Sequence, residues 1–335
     1  MRAIATATKK HTKMRPIIKG LYTLAAIIFV ASVSAQTQTY THNGTTIKLR
    51  KISVEVGAEK PFSAIHLSDS HLAYADERND ERKIKLSARR TKLFGNPEAA
   101  LEAQRQYAIE KNLPIIHTGD MIDFVSEANL DRAKAIFDKG EWLVCAGNHE
   151  YSLYVGEAKE DAAYRAQSYN KVEAIYPNNL TFYSRVINGV NFVMLDNGYY
   201  RISKEQFSQM KREVKKGLPI VMVCHNPLYT PELCSHSLKA TKGKAGNVVG
   251  APRTITDTYA QKERPKGEEW RNRTVQQRAD KTTLRFCQWL KKQEMLRAIL
   301  CGHCHFYYQT QFSPTATQYV TSAGYKGNGY IVEFK

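Results

Sequence analysis

From Trp142 to Glu150 the chain reads Trp-Leu-Val-Cys-Ala-Gly-Asn-His-Glu, an apolar run that ends in a glycine and three polar residues. A short apolar run of this kind is typical of a buried β-strand, and the glycine predicts a tight turn directly after it. A strand end followed by a tight turn holds side chains rigidly and leaves them reachable. We therefore expect Asn148 and His149 to lie in a functional loop.

Four further segments place metal-ligand side chains at the end of an apolar run. They are Asp69-x-His71, Gly119-Asp120, His225 and Gly302-His303-Cys304-His305. Aspartate, histidine and asparagine supply the oxygen and nitrogen donors that suit Zn, Fe or Mn. Seven such donors exceed the needs of one metal, but they fit two metals that share a bridging ligand. The pattern predicts a two-metal hydrolase.

Strand-type and helix-type segments alternate along the chain, which predicts an α/β layered domain. The predicted strands are Phe62 to Leu67, Leu113 to Thr118, Trp142 to Ala146, Val190 to Leu195, Pro219 to Cys224 and Arg297 to Cys301. The predicted helices, placed from their capping residues, are Glu98 to Lys111, Glu127 to Lys139 and a segment that begins after Ser203 and ends at Gly217.

Two charge-rich stretches interrupt this alternation, at about residues 72–95 and 232–281. A loop as long as the second is either functional or a solvated insertion. Because it begins a few residues after His225, one interpretation is a cover over the site. The other is an insertion without a catalytic part.

Residues 1–35 have the pattern of a signal peptide. They contain six basic and no acidic residues, an apolar run from Leu21 to Val33, and small residues that predict cleavage before Gln36. We expect an exported protein, periplasmic or extracellular, with no stable membrane span after cleavage. The apolar run is short for a membrane span, and an uncleaved anchor is the alternative.

The formal net charge is +17, and it falls to +11 when the six basic residues of the predicted signal peptide are removed. A basic protein attracts anionic substrates over long distances. The basic residues are scattered, so nucleic acid is a possible but not a favoured partner. A phosphorylated small molecule fits the charge better.

The six cysteines of a chain predicted to be exported invite a disulfide interpretation. Cys145, Cys224 and Cys301 lie in or at the end of apolar strands, where a small buried thiol packs well. A disulfide between Cys234 and either Cys287 or Cys304 is the alternative.

With these motifs in this order, the chain resembles the calcineurin-like metallophosphoesterases. The resemblance covers about residues 62 to 334 and includes all five signature segments. It implies a four-layer αββα sandwich, formed by residues 36–335 as one catalytic domain, with a dinuclear metal site at the strand ends. Carried over to this sequence, it implies a first metal on Asp69, His71 and His305, a second on Asn148, His225 and His303, and Asp120 as the bridge.

The resemblance also implies the roles of residues that do not bind metal. His149 would act as the general acid or as a transition-state donor, and Asp123 would orient it. The alternative for Asp123 is a helix cap. Glu150 would support its loop, while His66 and His117 would be packed residues or supports for the ligands. Purple acid phosphatases have a tyrosine where this chain has Asp123, so an iron–tyrosinate is not expected.

The implied activity is metal-dependent hydrolysis of phosphate esters, by in-line attack of a hydroxide that bridges two Mn, Fe or Zn ions. We expect a nucleotide or another polyanionic phosphoester as substrate. A nuclease or phosphodiesterase acting on nucleic acid is the alternative. A non-catalytic binding module on the same fold would show lost ligands, and this chain retains all seven.

Overall fold

Two six-stranded sheets lie at the centre of the computed structural model, which describes residues 36–155, 161–259 and 276–335. The strands in these ranges are β1 (Thr37–His42), β2 (Thr45–Val54), β3 (Phe62–Leu67), β4 (Ile115–His117), β5 (Trp142–Val144), β6 (Phe182–Ile187), β7 (Val190–Leu195), β8 (Ile220–Val223), β9 (Leu296–Cys301), β10 (Tyr308–Ser313), β11 (Ala316–Val320) and β12 (Asn328–Phe334).

The first sheet has the order β1-β2-β12-β3-β4-β5, and the second has the order β10-β11-β9-β8-β7-β6. Strands β3, β4 and β5 are parallel to one another, as are β7, β8, β9 and β11. The carboxyl ends of parallel strands meet at one edge of a sheet, and loops at that edge are the usual place for a ligand site.

Helices cover the outer faces of both sheets. Within the described ranges they are α1 (Glu81–Phe94), α2 (Pro97–Glu110), α3 (Glu127–Phe137), α4 (Ala162–Ala166), α5 (Tyr169–Glu173), α6 (Lys204–Lys215), α7 (Pro231–Ala240), α8 (Arg253–Thr256) and α9 (Lys281–Leu290), with a short 3-10 helix at Gly324–Lys326. Helices α2 and α3 pack on the first sheet, while α6, α7 and α9 pack on the second.

Strand β8 shows why the central strands read as uninterrupted apolar runs. Ile220 and Met222 point into the core between the second sheet and its helices, whereas Val221 and Val223 point into the core between the two sheets. Because both faces are covered, every position of such a strand is apolar. The order helix, sheet, sheet, helix confirms the predicted four-layer αββα sandwich.

All six predicted strands and all three predicted helices are present, with ends that differ by at most two residues. The capping residues act as predicted. Asn96 and Ser126 accept hydrogen bonds from the main chain of α2 and α3, and Ser203 forms a capping box with Gln206 at the start of α6.

The two charge-rich stretches contain helices. Helix α1 lies in the first, and α7 and α8 lie in the second, of which residues 260–275 fall outside the described residues. Helix α1 was missed because few of its side chains are apolar and buried, Leu86 and Phe94 among them. All six cysteines are free thiols, so neither alternative disulfide of Cys234 is formed.

The predicted signal peptide, residues 1–35, lies outside the described residues, and its boundary at Gln36 stays a prediction. Within the described ranges, none of the helices combines the length and the apolar character that crossing a membrane requires. The described residues, 36–155, 161–259 and 276–335, belong to one compact unit.

Candidate metal centre and catalytic site

The loops that follow five strands bring all seven predicted ligands together. Asp69 and His71 follow β3, Asp120 follows β4, Asn148 follows β5, His225 follows β8, and His303 and His305 follow β9. Three of these strands belong to the first sheet and two to the second. The site therefore lies where the carboxyl ends of both sheets meet.

Five of these seven residues have a left-handed backbone, which non-glycine residues rarely adopt. The φ angles are 54° for Asp69, 50° for His71, 56° for Asp120, 66° for His303 and 57° for His305. Hydrogen bonds between the loops hold this conformation, since Asp69 N donates to Gly119 O over 2.9 Å and His71 N donates to Asp120 O over 2.9 Å. Such backbone geometry concentrates at functional sites, where the surrounding structure holds it in place.

Two glycines are required because the ligand loops pass so close to each other. A Cβ atom at Gly147 would lie 2.2 Å from Oδ1 of Asp120, and one at Gly302 would lie 1.7 Å from Oγ of Ser68. Any other residue would displace a ligand loop. The glycines of Gly-Asn-His and Gly-His-Cys-His are thus part of the site's construction.

The first group of donors consists of Asp69, His71 and His305. Nε2 of His305 lies 3.1 Å from Oδ1 of Asp69 and 3.3 Å from Nε2 of His71. These three side chains form one of the groups able to hold a metal ion. Two imidazole nitrogens facing each other at this distance suit a shared cation.

The second group consists of Asp120, Asn148, His225 and His303. Nε2 of His225 lies 3.2 Å from each of three donors, namely Oδ2 of Asp120, Oδ1 of Asn148 and Nδ1 of His303. Oδ2 of Asp120 also lies 3.8 Å from Nε2 of His71, in the first group. Asp120 is therefore placed between the two groups, as a bridging ligand would be.

The remaining ring nitrogen of three histidines is held by a neighbour. Nδ1 of His225 donates to the main-chain oxygen of Thr118 over 2.7 Å, and Nδ1 of His71 donates to Oδ1 of Asp123 over 2.9 Å. Nε2 of His303 lies 2.7 Å from the hydroxyl of Tyr200. These contacts fix each ring so that its other nitrogen faces the group of donors, as in metal sites generally.

The charge states of the histidines also fit metal binding. Burial lowers the pKa of His71 and His303, so both rings are neutral, which is the form that binds a metal. Burial opposes protonation of His225 as well, but the carboxylate of Asp120 outweighs it and raises the pKa of His225 to about 10. A cation bound there would compete with that proton.

The two aspartates carry the negative charge of the site. Burial alone would raise the pKa of Asp69 and Asp120, but the facing histidines, His305 for Asp69 and His225 for Asp120, hold both below the usual range. Buried carboxylates need a compensating positive charge. The donor set therefore fits two cations of the Mn, Fe or Zn class.

His149 lies beside both groups without belonging to the two just described. Its main-chain N–H donates to Oδ1 of Asp120 over 2.9 Å, and its ring Nδ1 donates to the main-chain oxygen of Asp123 over 2.7 Å. The carboxylate of Asp123 is 3.3 Å from the same ring nitrogen. Because Nδ1 is occupied, Nε2 is the nitrogen that can reach a substrate.

Protonation of His149 is favoured by its neighbours. Burial would lower the pKa of the ring, but the negative charges of Asp120 and Asp123 outweigh burial and raise it. Asp123 thus contacts His149 and favours its charged form, and its orienting role stays a prediction. The N-cap of α3 is Ser126, so Asp123 does not cap that helix.

Arg90 is a site residue that the sequence did not reveal. Its Nε and one terminal nitrogen donate to the two carboxylate oxygens of Asp123 over 2.6 and 2.7 Å. On the same helix, the ring of Phe94 stacks on that of His71, with centroids 4.7 Å apart and planes inclined by 12°. The spacing of Leu86, Arg90 and Phe94, four residues apart, was the only sign that this charge-rich segment is a helix with one inward face.

Glu150 joins the two loops that carry Asp120 and Asn148. Its carboxylate accepts hydrogen bonds from the main-chain N–H groups of Asp120, Met121 and Gly147 over 2.9, 2.7 and 2.6 Å. Burial, together with the nearby charge of Asp120, raises the pKa of Glu150 to about 7. Glu150 supports the loops, as predicted from the sequence.

Two further polar residues hold ligands in place. The side chain of Asn197 bonds to the main chain of Asn226 over 2.9 and 2.7 Å, which fixes the residue next to His225. Two tyrosines also contact ligands. The hydroxyl of Tyr200 contacts His303, and the ring centroid of Tyr325 is 5.6 Å from that of His305.

His66 and His117 are buried beneath the ligand loops and do not join the donor groups. Nε2 of His66 lies 3.1 Å from Oγ1 of Thr118, and Nε2 of His117 lies 2.9 Å from Oγ of Ser70. Both are packed residues that contact the ligand loops, in agreement with the sequence. His236 is exposed and packs against Phe306.

Comparison with known proteins places this geometry in a family. Residues 62–307 match the family described as calcineurin-like phosphoesterase. The fold is similar to that of a dimetal phosphatase from Danio rerio, with 11% identity, a TM-score of 0.48, and coverage of 79% of this chain and 88% of that chain. No curated protein matches the sequence.

Two other solved structures are similar. A 5'-nucleotidase from Candida albicans shares 14% identity with a TM-score of 0.38, over 87% of this chain and 48% of that chain. A phosphopantetheinyl hydrolase from Mycobacterium tuberculosis shares 13% identity with a TM-score of 0.38, over 79% of this chain and 90% of that chain.

Proposed function

Because the chain belongs to the calcineurin-like phosphoesterase family and is a hydrolase of phosphoester bonds, we propose that it acts on a phosphorylated small molecule outside the cytoplasm. We propose a nucleotide or another polyanionic phosphoester as the substrate. The observation that carries the proposal is the convergence of seven donor side chains, from five strand ends, into two adjoining groups.

The family uses a dinuclear metal centre, and the donors present suggest how this chain would hold it. Asp69, His71 and His305 would bind one cation, Asn148, His225 and His303 the other, and Asp120 both. The position of Asp120 Oδ2, near ring nitrogens of both groups, supports this assignment. When bound, the two cations supply the Lewis acidity that activates water and neutralises phosphate charge.

The protein's own side chains supply proton transfer and orientation. His149 would donate a proton from Nε2 to the leaving oxygen, which otherwise departs as an unstable alkoxide. Asp123 holds the opposite nitrogen of that ring and stabilises the charged imidazolium. Arg90 keeps the Asp123 carboxylate in one orientation through two parallel hydrogen bonds.

The reaction class is tested by removing and restoring the metal. The purified protein, treated with a chelator, should hydrolyse phosphoesters only after Mn, Zn or Fe is added back. p-Nitrophenyl phosphate, bis-p-nitrophenyl phosphate and common nucleotides would separate monoesters from diesters. Full turnover with no metal bound would overturn the proposal.

Export is proposed from the sequence of residues 1–35 alone. Expression in a bacterium, followed by cell fractionation and mass spectrometry of the N-terminus, tests it. We expect the mature chain to begin at Gln36 and to lie outside the cytoplasm. A cytoplasmic protein that retains Met1 or Met14 would contradict the proposal that the protein is exported.

A further inference from the structure

Helix α1 carries six basic side chains and one acidic side chain over its fourteen residues. Arg82 and Lys83 lie in its first turn, where the helix dipole already contributes positive potential and where acidic side chains would stabilise the helix. This arrangement costs helix stability and concentrates positive charge on one element. Such a concentration favours the approach of an anion.

The helix is fixed directly against the candidate metal centre. Arg90 donates two hydrogen bonds to Asp123, and Phe94 stacks on His71. Both contacts come from the end of α1 that lies nearest the site. Arg89, which directly precedes Arg90, lies at this same end of the helix.

A neighbouring face of α1 lines a cavity. Arg82, Lys85, Leu86 and Arg89 follow the spacing of one helix face and line a space of about 430 Å³ together with Tyr154 and Val155. Tyr154 comes five residues after His149, so the cavity lies between α1 and the segment that carries the proposed acid. From Arg89, next to Arg90, the lining extends about 10 Å along the helix axis to Arg82.

One wall of the cavity is packed, and two of its basic side chains, Lys85 and Arg89, are exposed. The Arg82 guanidinium lies 3.8 Å from the centre of the Tyr154 ring, and Leu86 and Tyr154 belong to the same apolar cluster. Arg89 is exposed and has no ion pair with any residue in the described ranges. Lys85 pairs with Glu81, but both side chains are exposed, at 74% and 80%, and such a pair contributes little.

The geometry points to a second anion-binding site in this cavity, which takes a phosphate group of the substrate other than the one that is hydrolysed. The inference rests on the proposed function and narrows its substrate class to small molecules with at least two separate phosphate groups, such as nucleoside bisphosphates. A small molecule fits better than nucleic acid because, among the described residues, the basic side chains that line the cavity all come from one helix.

Competition against p-nitrophenyl phosphate tests this site in the metal-restored protein. Adenosine 3',5'-bisphosphate should inhibit at least 10-fold more strongly than adenosine 5'-monophosphate. In the double variant Lys85→Gln/Arg89→Gln the two inhibitors should become nearly equal, while kcat/KM for p-nitrophenyl phosphate changes less than twofold. The control variant Lys92→Gln/Lys134→Gln removes the same charge from exposed positions outside the cavity and should keep the wild-type preference.

An unchanged preference in the Lys85→Gln/Arg89→Gln variant, or an equal loss in the control, would overturn the site. A single-stranded DNA oligonucleotide that competes more strongly than the bisphosphate, and loses this advantage in the same variant, would reject the small-molecule class. If the wild type hydrolyses no ester, the proposed function fails, and equilibrium dialysis with the bisphosphate then tests the site alone. Equal binding by the wild type and the variant would reject it.

Discussion

The guanidinium of Arg90 donates two hydrogen bonds to the carboxylate of Asp123, with nitrogen–oxygen distances of 2.6 and 2.7 Å. The same carboxylate accepts from His71 over 2.9 Å and lies 3.3 Å from the ring of His149. The buried carboxylate of Asp123 thus contacts the proposed metal ligand His71, the proposed acid His149 and Arg90 of α1. A bidentate arginine fixes both the charge and the orientation of such a carboxylate.

Replacing Arg90 should impair catalysis without unfolding the protein. We expect Arg90→Gln to lower kcat/KM by about 10-fold to 100-fold, because groups that orient ligands have effects of this size. Arg90→Lys should recover only part of the rate, since a lysine cannot form two parallel hydrogen bonds. Steady-state kinetics with metal analysis measures this, and Lys92→Gln on the same helix is the control. A wild-type rate in Arg90→Gln would show that Asp123 needs no such support.

Removing the proposed bridge should remove the metals. Asp120→Asn keeps the size of the side chain but loses the negative charge that lies between the two donor groups. We expect stoichiometric metal binding and turnover to be lost together, as measured by elemental analysis and ester hydrolysis. Two bound metals with full activity in Asp120→Asn would refute the ligand assignment.

His149 should matter most for difficult leaving groups. We expect His149→Ala to retain both metals and to slow alkyl phosphates by about 100-fold or more, the usual scale for a lost general acid. Esters with an acidic alcohol, such as p-nitrophenyl phosphate, need less protonation and should slow much less. Rates across a series of leaving groups measure this dependence. Equal losses across the series would argue against proton donation by His149.

His66 should make the folded protein sensitive to acid. Burial, helped by the nearby His117, lowers the pKa of His66 to about 3, whereas an unfolded chain restores a value near 6.5. Between these values the unfolded state binds more protons, so stability is lost as the pH falls below about 6.5. Each such histidine contributes a slope of about 1.4 kcal/mol per pH unit.

We therefore expect His66→Gln to reduce the pH dependence of the unfolding free energy by about that slope between pH 4 and 6. Urea denaturation in the presence of a chelator measures it without a contribution from bound metal. His42, which is partly exposed and lies far from His66 in the sequence, is a suitable control when changed to Gln. A slope in His66→Gln equal to that of the wild type would mean that His66 is already protonated in the folded state.

The central strands and the donor residues could be predicted from the sequence. Strands β3 and β7 have the predicted bounds, Phe62–Leu67 and Val190–Leu195. Both strands are largely buried, so their apolar runs are complete and begin and end clearly. The donor residues follow these apolar runs directly, and their order along the chain is what predicted the metal site.

The outer strands and the supports of the site were not predicted. Strand β2 alternates buried and exposed residues and is rich in lysine and arginine, so it lacks an apolar run. Arg90 reaches the site through a tertiary contact with Asp123. Nothing in its local sequence marks this contact, because it depends on how α1 packs against the loop after β4.

The position of β12 has a consequence for how the protein folds. This strand lies between β2 and β3, and Asn328 pairs with Lys48, 280 residues earlier in the sequence. Contacts so distant along the chain form slowly, because a long loop must close before they are gained. β3, which carries Asp69 and His71, therefore gains its second neighbour only when the last strand enters the sheet. The metal-binding loops of the first sheet should thus become ordered late, and a newly synthesised chain would acquire its ions at the end of folding.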